Sequence, residues 1–257
     1  MEKIIGPYSD LDISLKYKDR EIEDEVYIGG GAYGRVSVIE TNEKEILCRK
    51  STDYPLEFDE LKDEYLALKK RFRKAKIPHL DFKIKGMSLY SSFLNQNNFV
   101  ALSNNTITED DNIIRIKYFD SDKEMKKFPD LKIYLKNQEV IKKLLFDMFD
   151  IAKKAFDNGI KFNINDIFFF IIDANKKEQT NIIPIIGDYD TIDLVGKKFD
   201  RIELYSKNME VIKYSFNQLI EVIDSENAFD NGIDILNYYL YKIEWEDENM
   251  WKKTCKK

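Results

Sequence analysis

Three glycines at a fixed spacing are the first residues in this sequence whose type and position suggest chemistry. Gly29, Gly31 and Gly34 fit the pattern G-x-G-x-x-G, and Val36 extends it to G-x-G-x-x-G-x-V within "YIGGGAYGRVSV". Because glycine has no Cβ, backbone N–H groups at such positions approach phosphate oxygens closely. The spacing supports two hypotheses, a phosphate-binding loop and an ordinary glycine-rich turn.

The residues after the glycines decide which kind of phosphate-binding loop is possible. A dinucleotide-binding fold needs a helix that begins at the glycines. Here the next residues, "RVSVIE", alternate and are rich in β-branched side chains, which favour a strand. The sequence therefore predicts a strand, a glycine turn and a second strand over residues 25 to 40.

A lysine and a glutamate further along the chain form a possible ion pair. Lys50 ends "KEILCRK", a predicted strand over residues 44 to 50 in which Lys50 and Cys48 share one face and Arg49 points the other way. A lysine on an inward strand face needs an anionic partner, because burying an unpaired ammonium group is costly. Glu64 lies within the apolar stripe of the next predicted helix, whereas its rivals Glu57 and Glu60 are less well placed. The alternative role for Glu64 is that of a partly exposed helix acid.

Two aspartates follow a predicted apolar strand in "IIPIIGDYDTI", at Asp188 and Asp190. Magnesium prefers hard oxygen ligands, often one or two carboxylates together with phosphate. Asp188 is therefore the strongest candidate for a metal ligand. The alternative is an ordinary turn acid at the end of a strand.

The order of these motifs resembles that of the protein kinase-like superfamily. The glycine turn is similar to the hairpin that kinases lay over ATP phosphates, "ILCRK" is similar to V-A-I-K with Cys48 at the alanine, and D-Y-D is similar to D-F-G. The resemblance covers residues 25 to 195. It implies an α+β, two-lobed kinase-like fold, with a β-rich N-lobe carrying one helix over residues 1 to 120 and a shortened helical C-lobe over residues 121 to 257.

The same resemblance implies roles for individual residues and two cofactors, ATP and Mg²⁺. Lys50 would hold the α- and β-phosphates, Glu64 would orient Lys50, and Asp188 would bind the metal. The remaining ATP contacts would come from the glycine loop, that is from Ile28, Gly29, Gly30, Gly31, Ala32, Tyr33, Gly34, Arg35 and Val36.

The catalytic loop departs from the family pattern H-R-D-x-x-x-x-N. In "NGIKFNINDIFFFII", Phe162 replaces the histidine and Ile164 falls at the place of the aspartate. With "NDIFFFI" aligned to the family's "ENILL", Asp166 takes the place of the asparagine as a catalytic residue and metal ligand. Any positioning of the substrate would then fall to Asn163 or Asn165, and neither amide can act as a general base.

Two functions of different kinds follow from the resemblance. One is a divergent ATP- and Mg²⁺-dependent protein kinase, Ser/Thr-specific by default, that transfers the γ-phosphate to a protein hydroxyl. The other is a pseudokinase that binds nucleotide or a protein partner. A less favoured third keeps the fold and changes the chemistry, for example to nucleotidyl transfer.

Composition and charge limit the other possibilities. The chain has 257 residues, a net charge of −6 and a sequence pI near 5.2, so it carries no global basic footprint for nucleic acid. Its longest apolar run, "IFFFII", is too short to span a membrane, and one histidine excludes a multi-histidine metal site. Two distant cysteines and the lack of an apolar signal segment predict a cytoplasmic location. The resemblance is to compact kinases of bacterial effectors or large DNA viruses, and for such a protein the location would be the host cell cytoplasm.

Apolar periodicity predicts the other elements. The predicted strands are a hairpin over residues 98 to 120 and two strands within 166 to 173 and 181 to 190. Helices are predicted over residues 138 to 157, with Gly159 as the C-cap, and over 208 to 223 and 232 to 245. A further helix, over residues 56 to 72, carries a stripe formed by Phe58, Leu61, Tyr65, Leu68 and Phe72.

Overall fold

The architecture is taken from a computed structural model. The structure describes residues 21–31, 34–51, 55–92, 99–102, 107–110, 113–116, 126–128, 138–163, 167–173, 182–196 and 199–223. Over these ranges the chain forms three helices and thirteen strands. The predicted α+β class is therefore confirmed, and the predicted helix over residues 232 to 245 lies outside the described residues.

The largest sheet has five antiparallel strands in the order β1-β2-β3-β5-β4. At the end of the first hairpin Gly31 lies opposite Gly34, whose φ of 142° is readily adopted only by glycine. The two predicted strands on either side of the glycine turn are confirmed, and the helix that a dinucleotide-binding fold would start there is excluded. The strands are β1 (Ile22–Gly31), β2 (Gly34–Thr41), β3 (Ile46–Ser51), β4 (Phe82–Lys85) and β5 (Ser88–Ser92).

The first helix, α1 (Pro55–Ala75), carries the predicted apolar stripe. Tyr65, Leu68 and Phe72 are buried in the main core. The 3.6-residue period therefore identified both the helix and its buried face.

The second helix, α2 (Gln138–Asp157), ends where the sequence predicts. Gly159 follows with a φ of 64°, and a Cβ there would lie 3.0 Å from the carbonyl oxygen of Val195. The glycine C-cap is therefore required by both backbone conformation and space.

The third helix, α3 (Arg201–Ile223), begins earlier than the predicted residue 208. Asp200 caps it, since its Oδ1 accepts hydrogen bonds from the backbone N–H groups of Ile202 and Glu203. An N-cap aspartate was the local signal that extends the helix by two turns.

Eight short strands complete the described fold and form a three-stranded sheet β12-β11-β6, a three-stranded sheet β7-β8-β9 and a pair β10-β13. They are β6 (Phe99–Leu102), β7 (Ile107–Asp110), β8 (Ile113–Ile116), β9 (Lys126–Phe128), β10 (Ile160–Phe162), β11 (Phe168–Asp173), β12 (Ile183–Ile186) and β13 (Ile192–Leu194).

The hairpin predicted over residues 98 to 120 is only partly correct. The turn lies between β7 and β8, whereas β6 pairs with β11. β11 is the central strand of its sheet, paired with β12 on one side and with β6 on the other. Both β6 and β11 are mainly apolar, as is typical of buried strands. A strand from the first predicted lobe therefore pairs with a strand from the second.

The segment that joins α1 to β4 is bonded to the end of β12. The backbone N–H of Leu80 donates to the Ile186 carbonyl over 2.7 Å, and the N–H of Ile186 donates to the Pro78 carbonyl over 3.0 Å. His79 forms a parallel bridge with Ile186, and burial lowers the pKa of its imidazole. These bonds join two distant parts of the chain just before Asp188.

A group of charged side chains, here called the Asp81 cluster and formed by Lys69, Arg73 and Asp81, joins α1 to β4. Asp81 Oδ1 lies 2.6 Å from Lys69 Nζ and 3.3 Å from Arg73 Nη2. Lys69 also donates to the Phe82 carbonyl and lies 4.7 Å from the centre of the Phe82 ring. Two cations therefore share one carboxylate at this point.

The main apolar core is built from all three helices and from strands β4, β10, β11, β12 and β13. In the part of the chain that the structure describes, no helix is long and apolar enough to cross a membrane. The largest buried side chains of the core are Leu68, Phe72, Phe82, Leu144, Leu145, Phe162 and Phe216.

Candidate functional site

The D-Y-D segment begins at a glycine that cannot be replaced without movement. The N–H of Gly187 donates to the Ile167 carbonyl over 2.8 Å, and a Cβ at Gly187 would lie 1.7 Å from the Phe169 ring. This ring therefore lies across the backbone at the end of β12. The path of the chain into Asp188 is set by that contact.

Tyr189 fixes the middle of the D-Y-D segment in the core. Its ring is buried and packs edge-on against Phe82, with centroids 4.8 Å apart, and against Tyr65, with centroids 6.3 Å apart. Its hydroxyl donates to the Leu80 carbonyl over 2.5 Å, and burial raises the pKa of this hydroxyl well above its ordinary value. With Tyr189 pointing into the core, the two flanking aspartates face the sheet.

Lys50 of β3 meets both aspartates. Its Nζ lies 3.3 Å from Asp188 Oδ1 and is ion-paired with Asp190 Oδ2. The side chains are 23%, 39% and 5% exposed for Lys50, Asp188 and Asp190 respectively. Burial lowers the pKa of Lys50, but the two aspartates outweigh it and the pKa is raised overall, so the ammonium form persists.

Tyr65 of α1 completes the site by donating its hydroxyl hydrogen to Asp190 Oδ1. The N–H of Asp190 in turn donates to Asp188 Oδ1 over 3.2 Å. Burial, and then the charge of Asp188, raise the pKa of Asp190, while Lys50 and Tyr65 oppose that rise. These four residues, Lys50, Tyr65, Asp188 and Asp190, are called the site cluster.

The predicted partner of Lys50 lies elsewhere. Glu64 is exposed on α1, and within the described residues the ion pairs of Lys50 are with Asp188 and Asp190. The physical reason is helix geometry, since successive residues are turned by about 100° and Tyr65, one step further, occupies the buried face. The apolar stripe placed this face correctly, and the polar contact on it comes from Tyr65, whereas the role of Glu64 in orienting Lys50 stays a prediction.

The rest of β3 follows the predicted alternation. Arg49 points to the other face of the sheet, where its Nη2 lies 2.5 Å from Glu25 Oε1. Burial raises the pKa of the Cys48 thiol to about 12, so Cys48 is not a reactive thiolate at neutral pH.

The glycine hairpin, formed by β1 and β2, is paired through β2 with the strand that carries Lys50. In the β2–β3 register Val36 lies opposite Lys50 and exposed Arg35 lies opposite Ser51, so Gly34 is two residues from the level of the lysine. The backbone of Ile28, Gly29, Gly30 and Gly31 belongs to β1. Ala32 and Tyr33, which the resemblance also assigns to ATP, lie outside the described residues.

The predicted catalytic loop is described only at its start. Asn163 is exposed, and its Nδ2 donates to Asp193 Oδ2 over 2.8 Å. Asp166, predicted as a catalytic residue and metal ligand, lies outside the described residues together with Ile164 and Asn165.

The fit of a metal ion depends on Asp188. Within the described ranges no group of three or more His, Cys, Asp or Glu side chains is arranged to hold a metal ion. Asp188 makes its contacts through Oδ1 and keeps a side chain that is 39% exposed, so one carboxylate is open to a cation. A magnesium ion completed by phosphate oxygens and water, which needs only one or two protein carboxylates, fits this donor set.

Tyr65 and Asp190 are the site residues that sequence reasoning gave no function. Asp190 stands where the D-F-G motif has glycine, and the resemblance gives it no function. The signals that would have found them are a hydroxyl within an otherwise apolar helical stripe and two carboxylates spaced by two residues after a strand.

Models of known protein families and curated proteins were compared with the sequence, and none of them matches. The functional argument therefore depends on the chemistry of the site cluster. That chemistry consists of two carboxylates, one ammonium group and one hydroxyl, placed beside a glycine hairpin.

Proposed function

We propose that this protein is a divergent ATP- and Mg²⁺-dependent phosphotransferase of the two-lobed protein kinase-like fold, which acts on a protein hydroxyl group. One observation carries the proposal. Lys50, on the strand paired with the glycine hairpin, meets Asp188 at the end of a strand that is distant in sequence. An ammonium group suited to phosphate and a carboxylate suited to a metal ion therefore lie close together, which supports the proposal.

The glycine hairpin supports the phosphate part of the proposal. Gly31 and Gly34 lie opposite each other where β1 and β2 meet, next to the strand of Lys50. Backbone N–H groups of glycines, which have no Cβ to block a ligand, are suited to hold the oxygens of a polyphosphate together with one ammonium group. Lys50 then binds the phosphates and the hairpin covers them.

Charge supports the metal part of the proposal. When both carboxylates of the site cluster are ionised, they exceed the single positive charge of Lys50 by one. Two carboxylates that share one ammonium group in a partly buried site favour the binding of a further cation, since like charges repel each other. A bound Mg²⁺ would neutralise phosphate charge, and Asp188 is the described residue that would hold it.

Phosphoryl transfer breaks the bond between the γ-phosphorus and its bridging oxygen and forms a bond to the hydroxyl oxygen, and ADP leaves. The proton of the hydroxyl passes to a phosphoryl oxygen or to water, because Ile164 stands where the family has its aspartate. Transfer depends mainly on positioning and charge neutralisation, so the missing base lowers the rate without abolishing it.

A pseudokinase that binds nucleotide without transferring phosphate is the second candidate. The observation in its favour is Asn163, which belongs to the catalytic-loop segment, cannot accept a proton, and is engaged with Asp193. The two candidates share the nucleotide site and differ only in transfer.

Calorimetry with Mg²⁺-ATP and radiolabelled autophosphorylation test the proposal together. The parent is compared with Lys50→Met and Asp188→Asn, and with matched exposed controls on α2, Lys153→Met and Asp157→Asn. Binding and label transfer in the parent and both controls, lost in both site variants, support the kinase. Binding without transfer supports the pseudokinase, and no binding by the parent overturns both.

A further inference from the structure

Asp190 is the more enclosed of the two aspartates in the site cluster. Its side chain is 5% exposed, against 39% for Asp188. Both of its carboxylate oxygens are used, since Oδ2 pairs with Lys50 and Oδ1 accepts from Tyr65. A carboxylate with two fixed partners on two different elements is oriented by them and orients them in turn.

We propose that Asp190, held by the hydroxyl of Tyr65, is the positioning residue that fixes the ammonium group of Lys50, in the place that the family resemblance gives to Glu64. The residues and their contacts stand by themselves, while the use of this arrangement for nucleotide binding rests on the proposed function. Asp190 and Tyr65 act through Lys50 and touch no reacting atom.

The two aspartates therefore have different tasks. Asp188 is open enough to leave Lys50 and turn to a cation, because its contacts run through Oδ1 and its side chain is partly exposed. Asp190 lacks that freedom, because release of Lys50 would leave a nearly buried carboxylate with only one partner. Lys50 therefore stays paired with Asp190 when Asp188 turns to a cation.

The arrangement also changes what α1 contributes to the site. The helix supplies a neutral hydroxyl from Tyr65 and not a charge from Glu64, which is exposed. A shift of α1 would move Tyr65 away from Asp190, and Lys50 would lose its fixed direction. The position of the helix is thereby coupled to the position of the lysine through one aspartate.

The first test measures stability and needs no nucleotide. Thermal unfolding is followed in Lys50→Met, Asp190→Asn and the double variant, and a second cycle pairs Lys50→Met with Glu64→Gln. Each change in the first cycle is expected to lower Tm by about 5 °C, and the double variant to lose clearly less than the sum, because a nearly buried charge without its partner is costly. The second cycle is expected to be additive. Additivity in the first cycle, or coupling in the second, overturns the proposal.

The second test measures Mg²⁺-ATP affinity and uses a change that keeps the fold. Tyr65→Phe removes one hydroxyl and is expected to weaken binding about 3- to 10-fold, the effect of one lost hydrogen bond. Asp63→Asn, an exposed acid on the same helix, is the matched control and is expected to leave binding unchanged. In the Asp190→Asn background, which keeps Lys50 and Asp188, Tyr65→Phe should weaken binding no further, whereas a merely structural role of Tyr65 would still lower the affinity.

The two tests separate failure of the inference from failure of the proposed function. A parent that does not bind Mg²⁺-ATP, but shows coupling between Lys50 and Asp190, overturns the proposed function and supports the inference about the pair. A parent that binds Mg²⁺-ATP, with Tyr65→Phe binding equally well, overturns the positioning role and leaves the proposed function standing.

Discussion

The site cluster and the Asp81 cluster lie one helical turn apart on α1 and have opposite charge balances. At the Asp81 cluster Lys69 and Arg73 share one carboxylate. At the site cluster two carboxylates share one ammonium group, that of Lys50. Tyr65 and Lys69, four residues apart, are the helix residues that reach them.

The pKa values of Asp81 and Asp190 differ in direction because of these charge balances. Burial raises the pKa of Asp81, but its hydrogen bond to Lys69 and the charges of Lys69 and Arg73 lower it below its ordinary value. Burial and Asp188 raise the pKa of Asp190 instead, because one lysine and one hydroxyl do not compensate them. The Asp81 cluster therefore carries surplus positive charge, and the site cluster carries the surplus negative charge that the proposed metal site requires.

The largest effect is expected when the open carboxylate of the site cluster is removed. Asp188→Asn should lower phosphate transfer by about 100-fold or more, since it deletes an oriented charge in a partly buried site. Initial rates with labelled ATP measure this effect. If Asp188→Asn and Asp81→Asn reduced transfer equally, the two clusters would not differ in function.

The Asp81 cluster is expected to respond in stability alone. Asp81→Asn should lower the free energy of unfolding by about 1–2 kcal/mol, because hydrogen bonds to a charged group are lost at a site partly screened by water. Urea unfolding measures the change, and Mg²⁺-ATP affinity should stay at the parent value. Conversely, an unchanged urea midpoint would show that the cluster does not hold α1 to β4.

Tyr189 lies between the two clusters and offers a smaller change that reaches both. Tyr189→Phe keeps the ring packing against Tyr65 and Phe82 and removes the hydrogen bond to Leu80. A loss of about 1 kcal/mol in unfolding free energy is expected, because the Leu80 carbonyl is left without this buried donor. Urea unfolding of this variant beside Tyr214→Phe, an exposed tyrosine on α3, isolates the contribution. Equal effects of the two changes would contradict it.

The smallest effect is a difference in pH dependence. The folded pKa of Asp81 is below its ordinary value of 3.8, so its stabilisation is complete above that pH and is lost as the pH falls through the folded pKa. The Tm difference between the parent and Asp81→Asn should therefore shrink in acid.

Lys50 gives the opposite sign. Its pKa is raised above 10.5, so the stability it contributes is complete below that pH and is lost as the pH rises through the folded pKa. The Tm difference between the parent and Lys50→Met should shrink in alkali. Melting curves across the pH range check both signs, and two differences that vanish at the same end would refute the assignment.

The sequence predicted the elements of the site better than their contacts. Strand alternation placed Lys50 and Arg49 on opposite faces, and the helical stripe placed Tyr65 inside, since both are local periods. The choice of Asp190 over Glu64 as a partner was not local. It depends on how the end of β12 approaches α1, which no spacing along the chain encodes.

The sequence analysis missed strands that are very short and a strand pairing that is set by contacts distant in sequence. β4 and β5 join at Gly86, whose φ of 55° marks the turn, but each is brief and mixes apolar with polar residues. The pairing of β6 with β11 spans more than sixty residues and is set by tertiary packing, which outweighs local preference.

The short segment from Pro78 to Leu80 has a consequence for how the protein opens. Its backbone bonds to Ile186 lie between α1 and the end of β12, and the Tyr189 hydroxyl bonds to its Leu80 carbonyl. Amide hydrogen exchange at Leu80 and Ile186 should therefore proceed only when both halves open together, although neither amide lies in the middle of a large sheet. Slow exchange at these two amides would show that α1 and the end of β12 unfold as one cooperative unit.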